Sequence, residues 1–204
     1  SMPGLWPARR ILFALILALA GVGTAGAQTW APPVGVPNPP FGVTQVAGPY
    51  THYVDSTHAA STDSSNPNGS PAKPRKTIPT SLAAGAVVEV HGGPYSSSSF
   101  RWTISGSSSS PVFIRGVGQP VINGGGSLGD VTLSGSYGVV EGFVFDRMQV
   151  RLGSSYMALR SSEVKNFSPS SNSAAVTGSG TNLVLYNNHI HHNGSATGSA
   201  VTPS

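Results

Sequence analysis

Histidines occupy positions 189, 191 and 192 in the run Asn187-Asn188-His189-Ile190-His191-His192-Asn193-Gly194. An imidazole near neutral pH can carry a proton, ligate a metal or present a polar edge to a sugar. Other groups for chemistry are scarce, because the 204 residues include only seven acids and eleven lysines and arginines. Glu141, Asp146, Arg160 and Lys165 are among those that sit within or beside short apolar stretches. A carboxylate, an amine and an imidazole on one line would be equipped for proton transfer. Whether they share a line depends on the elements that carry them.

Those elements repeat. Val88, Ile114, Val140, Leu159 and Leu185 each mark the centre of a short apolar stretch, and the steps between them are 26, 26, 19 and 26 residues. A second series of stretches, marked by Val131, Val150 and Val176, precedes Val140, Leu159 and Leu185 by nine residues each time. The connector from the first series to the second varies, at 17, 10 and 17 residues. One side of the repeat is therefore fixed and the other is a loop of changing length. Apolar and polar residues alternate within the stretches, as in Val140 to Phe145, which is the strand period and not the helical one. A unit of this size built from strands and glycine or serine turns predicts a solenoid of stacked strands. Chance likeness among the strands of a β-sandwich is the competing reading.

In such a stack, equivalent residues lie about 4.8 Å apart and form columns. The residue after each marker points away from the core by alternation: Glu89, Arg115, Glu141, Arg160 and Tyr186. This column reads as a solvent-facing polar groove for a sugar chain, with Glu141 and Tyr186 as contacts, or as an ion-pair ladder that keeps the register. Six residues after the markers come Asp146, Lys165 and His191. Five after come Phe145, Val164 and Ile190, a core column, and three after come Phe143, Ser162 and Asn188, the last making side-chain hydrogen bonds at a bend. His189 and His191 flank an inward Ile190 and point outward. A zinc site needs three or four ligands in a closed arrangement. No neighbouring repeat supplies a matching histidine, and the nearest acid in the column is Asp146, so no metal is assigned and the run reads as an outward turn, with a sugar-facing role for His191 next.

Composition limits the classes. The chain is long enough for one ordinary domain. Only 9% of residues are charged, there is no cysteine, and the net charge of +4 includes Arg9 and Arg10. Disulfides and thiolate metal sites are excluded, and the charge argues against a nucleic-acid partner. Residues 1–27 have a basic start, an apolar run from Ile11 to Ala20 and Ala25-Gly26-Ala27, the pattern of a signal peptide; the run is short for a membrane span. The expected location is extracytoplasmic, secreted or periplasmic, with no membrane attachment after cleavage. Residues 28–49 read as a proline-rich extended linker, and 50–204 as the folded domain. Val201 lies 25 residues after Val176 and opens a strand whose partner would lie past Ser204, so the last coil is expected to be incomplete, frayed and prone to association.

The stretch from Tyr53 to Tyr95 resembles the opening of secreted right-handed parallel β-helix proteins of the pectate-lyase-like superfamily. The resemblance rests on Tyr53, Val54, Asp55, Asp63, Gly69, Pro74, Thr77, Ile78, Gly85, Val88, Val90, Gly93 and Tyr95, and on the turn Asn187 to Gly194. Thr62, Arg75 and Pro79 depart from the pattern, and Pro79 falls where the family places a short capping helix. The implied fold is all-β, a right-handed parallel β-helix of about five coils. The implied activity is β-elimination on a uronate-containing polysaccharide, in which a lysine, arginine or histidine takes the proton beside the carboxylate. Lys165, with Arg160 nearby, is then the candidate base, and Glu141 and Asp146 are candidate calcium ligands. The alternatives are a non-catalytic adhesin-like or carbohydrate-binding solenoid, and an inactive fragment of either.

Overall fold

A computed structural model describes residues 50–169 and 173–194. The segments read as a signal peptide and a proline-rich linker, and the strand expected at Val201, lie outside the described residues. Within them the chain is all-β, with sixteen strands and no helix. The first sheet holds β1 (His52–Asp55), β3 (Val87–His91), β6 (Val112–Gly116), β9 (Gly138–Glu141), β12 (Met157–Arg160) and β15 (Val184–Tyr186), in that order. The second holds β4 (Tyr95–Ser96), β7 (Val121–Asn123), β10 (Val144–Asp146), β13 (Glu163–Lys165) and β16 (His189–His191). The third holds β2 (Ser81–Ala83), β5 (Ser99–Ser105), β8 (Gly129–Ser136), β11 (Met148–Leu152) and β14 (Val176–Gly178). Every ladder is parallel, and from β3 onward the chain visits first, second and third sheet in turn, which is consistent with a parallel β-solenoid.

The register follows the sequence spacing. Val88 pairs with Ile114, Ile114 with Val140, Val140 with Leu159 and Leu159 with Leu185. Val131, Val150 and Val176 stack in the third sheet, and Phe145, Val164 and Ile190 in the second. The 19-residue step and the 26-residue steps therefore end on the same rung position, with the difference absorbed in the loop between second and third sheets. Val88, Ile114, Val140 and Leu159 are fully buried, while Leu185 keeps the register but is 43% exposed. It belongs to the last described strand of its sheet, so Leu159 covers one side only.

The corners are fixed by left-handed residues and by asparagine. Gly142, Ser161 and Asn187 all have positive φ at the bend after the first sheet, and Arg147, Asn166 and His192 do so after the second. Asn188 donates from Nδ2 to the carbonyl of Leu159 at 2.7 Å and accepts from the Ser162 amide at 3.0 Å. Asn193 repeats both bonds one corner later, to the Val164 carbonyl at 2.7 Å and from the Phe167 amide at 2.8 Å. Each side chain thus supplies the ladder bonds that a bending backbone cannot make. This is the role expected for Asn188.

The residues carrying the Tyr53–Tyr95 pattern act structurally here. The Asp63 carboxylate accepts from the amides of Lys76 and Thr77 and from the Thr77 hydroxyl, tying its loop to the Pro74–Ile78 step. A Cβ at Gly69 would lie 2.1 Å from the Tyr53 carbonyl oxygen. Where the pattern called for a capping helix, Ser81–Ala83 is instead a strand that opens the third sheet. Pro79 cannot donate an amide bond within a helix, and Leu82 is buried in the core from the extended conformation.

One expectation needs correction. Glu141 and Arg160 do not face solvent; each is only 5% exposed, and Glu89 and Arg115 are buried as well. They do lie on the side of the first sheet opposite Val140 and Leu159. That side carries a second apolar cluster of Val87, Phe113, Val139 and Ala158, with Tyr50, Tyr137, Tyr156 and Val184 packed against it. The Arg160 guanidinium sits 6.0 Å from the centre of the Phe113 ring. The central strands of this sheet are buried on both faces, as parallel sheets commonly are. The alternating charges therefore form a buried ion-pair ladder, the other reading of that column, and not an open groove.

Candidate functional site

The second sheet turns a polar strip outward. Its inward column is Tyr95, Ile122, Phe145, Val164 and Ile190, so the flanking residues alternate to the outer face. One outer column is Ser96, Asn123, Asp146, Lys165 and His191. The other is Val121, Val144, Glu163 and His189. The alignment of Asp146, Lys165 and His191 is thus as the sequence spacing requires.

The contacts among these groups are less simple than the column. Asp146 accepts from the Asn166 side chain at 2.9 Å, across the strand, and not from Lys165. Lys165 Nζ lies 3.2 Å from Glu163 Oε1, and His191 Nε2 lies 2.7 Å from the same oxygen. The hydrogen bond from His191, with a further one from Lys165, holds the Glu163 carboxyl below its ordinary range. His189 faces Glu163 across the ladder and stacks on His191, ring centres 4.0 Å apart. His192 touches His191 through their Nδ1 atoms. Beside this cluster lies a polar depression lined by Gln119, Ser161, Ser162, Asn187, Glu163 and His189.

Column reading missed Glu163 because it looked for an acid in the column of His191. The acid stands in the adjacent column, two residues before Lys165 on the same strand, and reaches His191 diagonally. The i, i+2 spacing of Glu163 and Lys165, and of His189 and His191, was the available signal, since it puts both pairs on one face.

The remaining candidates fall elsewhere. Arg160 and Glu141 belong to the buried ladder of the first sheet, where Arg115 Nε donates to one Glu141 oxygen at 2.7 Å and Arg160 Nε to the other at 2.8 Å. With both oxygens engaged by guanidinium groups, Glu141 does not suit calcium, which takes six to eight oxygen ligands. Tyr186 pairs with Arg160 in register and is 45% exposed, so it borders the ladder from the open side.

A second polar feature escaped the sequence reading. On the outer face of the third sheet, Arg101, Thr132, Arg151 and Thr177 stand on four successive strands. They line a shallow groove together with Ser179. The Arg101 side chain is 70% exposed, and its contact with Asp130 is long, at 3.8 Å. The alternation Trp102-inward, Arg101-outward places these cations on the solvent side while Trp102, Leu133 and Leu152 fill the core. No family model matches the chain, and no curated protein and no solved structure matches it.

Proposed function

We propose that this chain is an extracytoplasmic right-handed parallel β-helix that binds polysaccharide, and specifically a polymer bearing carboxylate or sulfate groups. The observation that carries the reading is the file of Arg101, Thr132, Arg151 and Thr177 on four adjacent strands. Arginine pairs with a carboxylate through two parallel hydrogen bonds, and hydroxyls on the intervening strands suit sugar oxygens. A linear polymer laid across the strands would meet a cation on every second strand, at about 9.6 Å intervals given the strand spacing. The signal-peptide pattern and the likeness to pectate-lyase-like proteins support the same class, although a fold alone does not give function.

β-Elimination is the second reading, favoured by the contact of His191 with Glu163. A carboxylate that orients an imidazole is the arrangement of a general base. Lys165, by contrast, has its Nζ engaged by the Glu163 carboxylate at 3.2 Å, on the same oxygen that meets His191. Glycoside hydrolysis by a carboxylate pair has less support, since Asp146 and Glu163 engage different partners.

The test is retention on pectate, alginate and chondroitin sulfate in affinity electrophoresis, alongside absorbance of unsaturated product. Binding to one of these that is lost in Arg101→Glu and Arg151→Glu, without product formation, supports the binding reading. Product that disappears in His191→Ala supports elimination, and its persistence in Lys165→Ala clears Lys165 as base. Neither retention nor product on any of the polymers overturns both.

A further inference from the structure

The turn that carries three histidines also carries the makings of a metal centre. His189 and His191 project from the same face of β16, and Glu163 projects from β13 directly opposite His189. One ligand atom from each of the three lies within 4.8 Å of the other two. Donors around a tetrahedral ion with bonds of about 2.0–2.1 Å stand about 3.3 Å apart. His191 Nε2 is already 2.7 Å from Glu163 Oε1, and the other separations, none above 4.8 Å, are within reach of that spacing by side-chain rotation. We infer that Glu163, His189 and His191 form a binding site for a divalent cation of the zinc class.

Three features favour the assignment over a plain surface cluster. First, the ligand set is two imidazoles and one carboxylate, which suits zinc with a fourth position left open. It does not suit calcium, which needs more oxygens than one carboxylate gives. Second, the two imidazoles stack with centres 4.0 Å apart. The stack brings both rings together on one side of β16, with a ring nitrogen of each within reach of the Glu163 oxygen. Third, the Glu163 oxygen that would bind the ion already holds one cation, the Lys165 ammonium at 3.2 Å. Lys165 is 30% exposed on a flexible stem and can swing to solvent when the ion enters. Glu163 and His189 themselves line the depression with Gln119, Ser161 and Asn187, whose polar groups can hold a water at the open position.

The site lies on the second sheet, apart from the arginine file on the third, so the assignment stands or falls independently of polysaccharide binding. Lys165 and the ion compete for the same oxygen, so removing the lysine should tighten binding. A merely electrostatic attraction would respond to both charge changes in the same directions, but it would be indifferent to loss of either imidazole and would hold magnesium as well as zinc.

The experiment is titration of the whole chain, purified without a histidine tag, with zinc chloride by calorimetry, and with cobalt(II) by visible absorption. One zinc per chain is expected, with a cobalt spectrum of low coordination number. His189→Ala and His191→Ala should abolish binding, Glu163→Gln should weaken it by at least about tenfold, and Lys165→Met should strengthen it. His58→Ala, a histidine in an exposed loop, should leave it unchanged. Circular dichroism of each variant checks folding. Should a histidine variant fail to fold, titration of the unaltered chain with magnesium decides the matter: a site with two imidazole ligands binds zinc and cobalt but not magnesium, whereas electrostatic attraction alone would hold all three alike. Absence of stoichiometric zinc binding, or binding indifferent to Glu163→Gln and Lys165→Met, would overturn the assignment.

Discussion

Arg160 on β12 donates from Nε to a Glu141 carboxylate oxygen 2.8 Å away on β9, and Arg115 on β6 donates to the other oxygen at 2.7 Å. Three charges thus stack on three neighbouring strands of one sheet, with Glu141 in the middle. Each lies next to a member of the apolar cluster of Val87, Phe113, Val139 and Ala158. Burying such ions carries a desolvation cost that their attraction must offset, so the ladder is better evidence for register than for net stability. A one-residue slip would put Val140 and Leu159 where the charges stand and would leave the charges in the core.

Substituting Arg160→Glu should therefore cost about 3–5 kcal/mol, the range for breaking a buried pair by removing one partner. An exposed pair would cost no more than about 1 kcal/mol. Urea unfolding followed by fluorescence measures the difference. A loss below about 1 kcal/mol would mean that this side of the sheet is open to water in solution.

Asn188→Ala and Asn193→Ala should each destabilise the chain by about 1–3 kcal/mol. Each removes the partner of one carbonyl and of one amide in the preceding coil, at Leu159 and Ser162 or at Val164 and Phe167. Aspartate in their place keeps the acceptor but loses the donor, so Asn188→Asp should also be destabilised. Thermal unfolding checks this; unchanged midpoints would show that water replaces these side chains freely.

The rungs were legible because the step from Val131 to Val140 recurs at Val150 to Leu159 and at Val176 to Leu185, and a parallel ladder converts equal spacing into equal height. Alternation also gave the direction of Asp146, Lys165 and His191 correctly. It could not say whether an outward face is wet. Glu141 and Arg160 are outward and buried, because Phe113 and Val139, also outward, draw that face into a second cluster. The candidate site was legible by column but not by diagonal. Glu163 reaches His191 because a side chain longer than the strand spacing contacts neighbours that share no column with it. The arginine file was harder to read: Thr132, Arg151 and Thr177 each follow a marker of the second series, but Arg101 lies on a strand without such a marker, so the spacing shows one cation in that column and not two.

Gly142→Ala should cost about 1–3 kcal/mol, unlike substitution at the equivalent corner one rung on. Gly142 has φ of +77°, and an added Cβ would lie 2.5 Å from the Gly116 carbonyl oxygen. Ser161 holds the same corner with φ of 48° and carries a side chain. The constraint at Gly142 is thus the approach of the Gly116 backbone in addition to the backbone angle. Ser161→Ala serves as the comparison and should change stability by less than about 0.5 kcal/mol. A Gly142→Ala cost as small as that of Ser161→Ala would show that the Gly116 backbone gives way and that neither the approach nor the backbone angle sets the requirement.

Asp63 makes the stability of the first loop depend on pH. Partial burial raises its carboxyl pKa, but the Thr77 amide and hydroxyl, the Lys76 amide and the Arg75 guanidinium outweigh that and hold it below the ordinary 3.8. A carboxyl whose pKa is lower in the folded chain stabilises the fold above its unfolded value, and that contribution is lost as pH falls through the folded value. Asp63→Asn removes the charge that Arg75 meets at 3.5 Å and one acceptor of the three hydrogen bonds. The wild-type chain should be the more stable at pH 7, and the gap should shrink once pH drops below 3.8 and the wild-type carboxyl protonates. Urea midpoints of both chains between pH 7 and pH 2.5 measure it. A gap that stays constant across that interval would mean the asparagine disturbs the loop by its shape, and that the charge of Asp63 contributes nothing to joining Asp63 with the Lys76–Thr77 step.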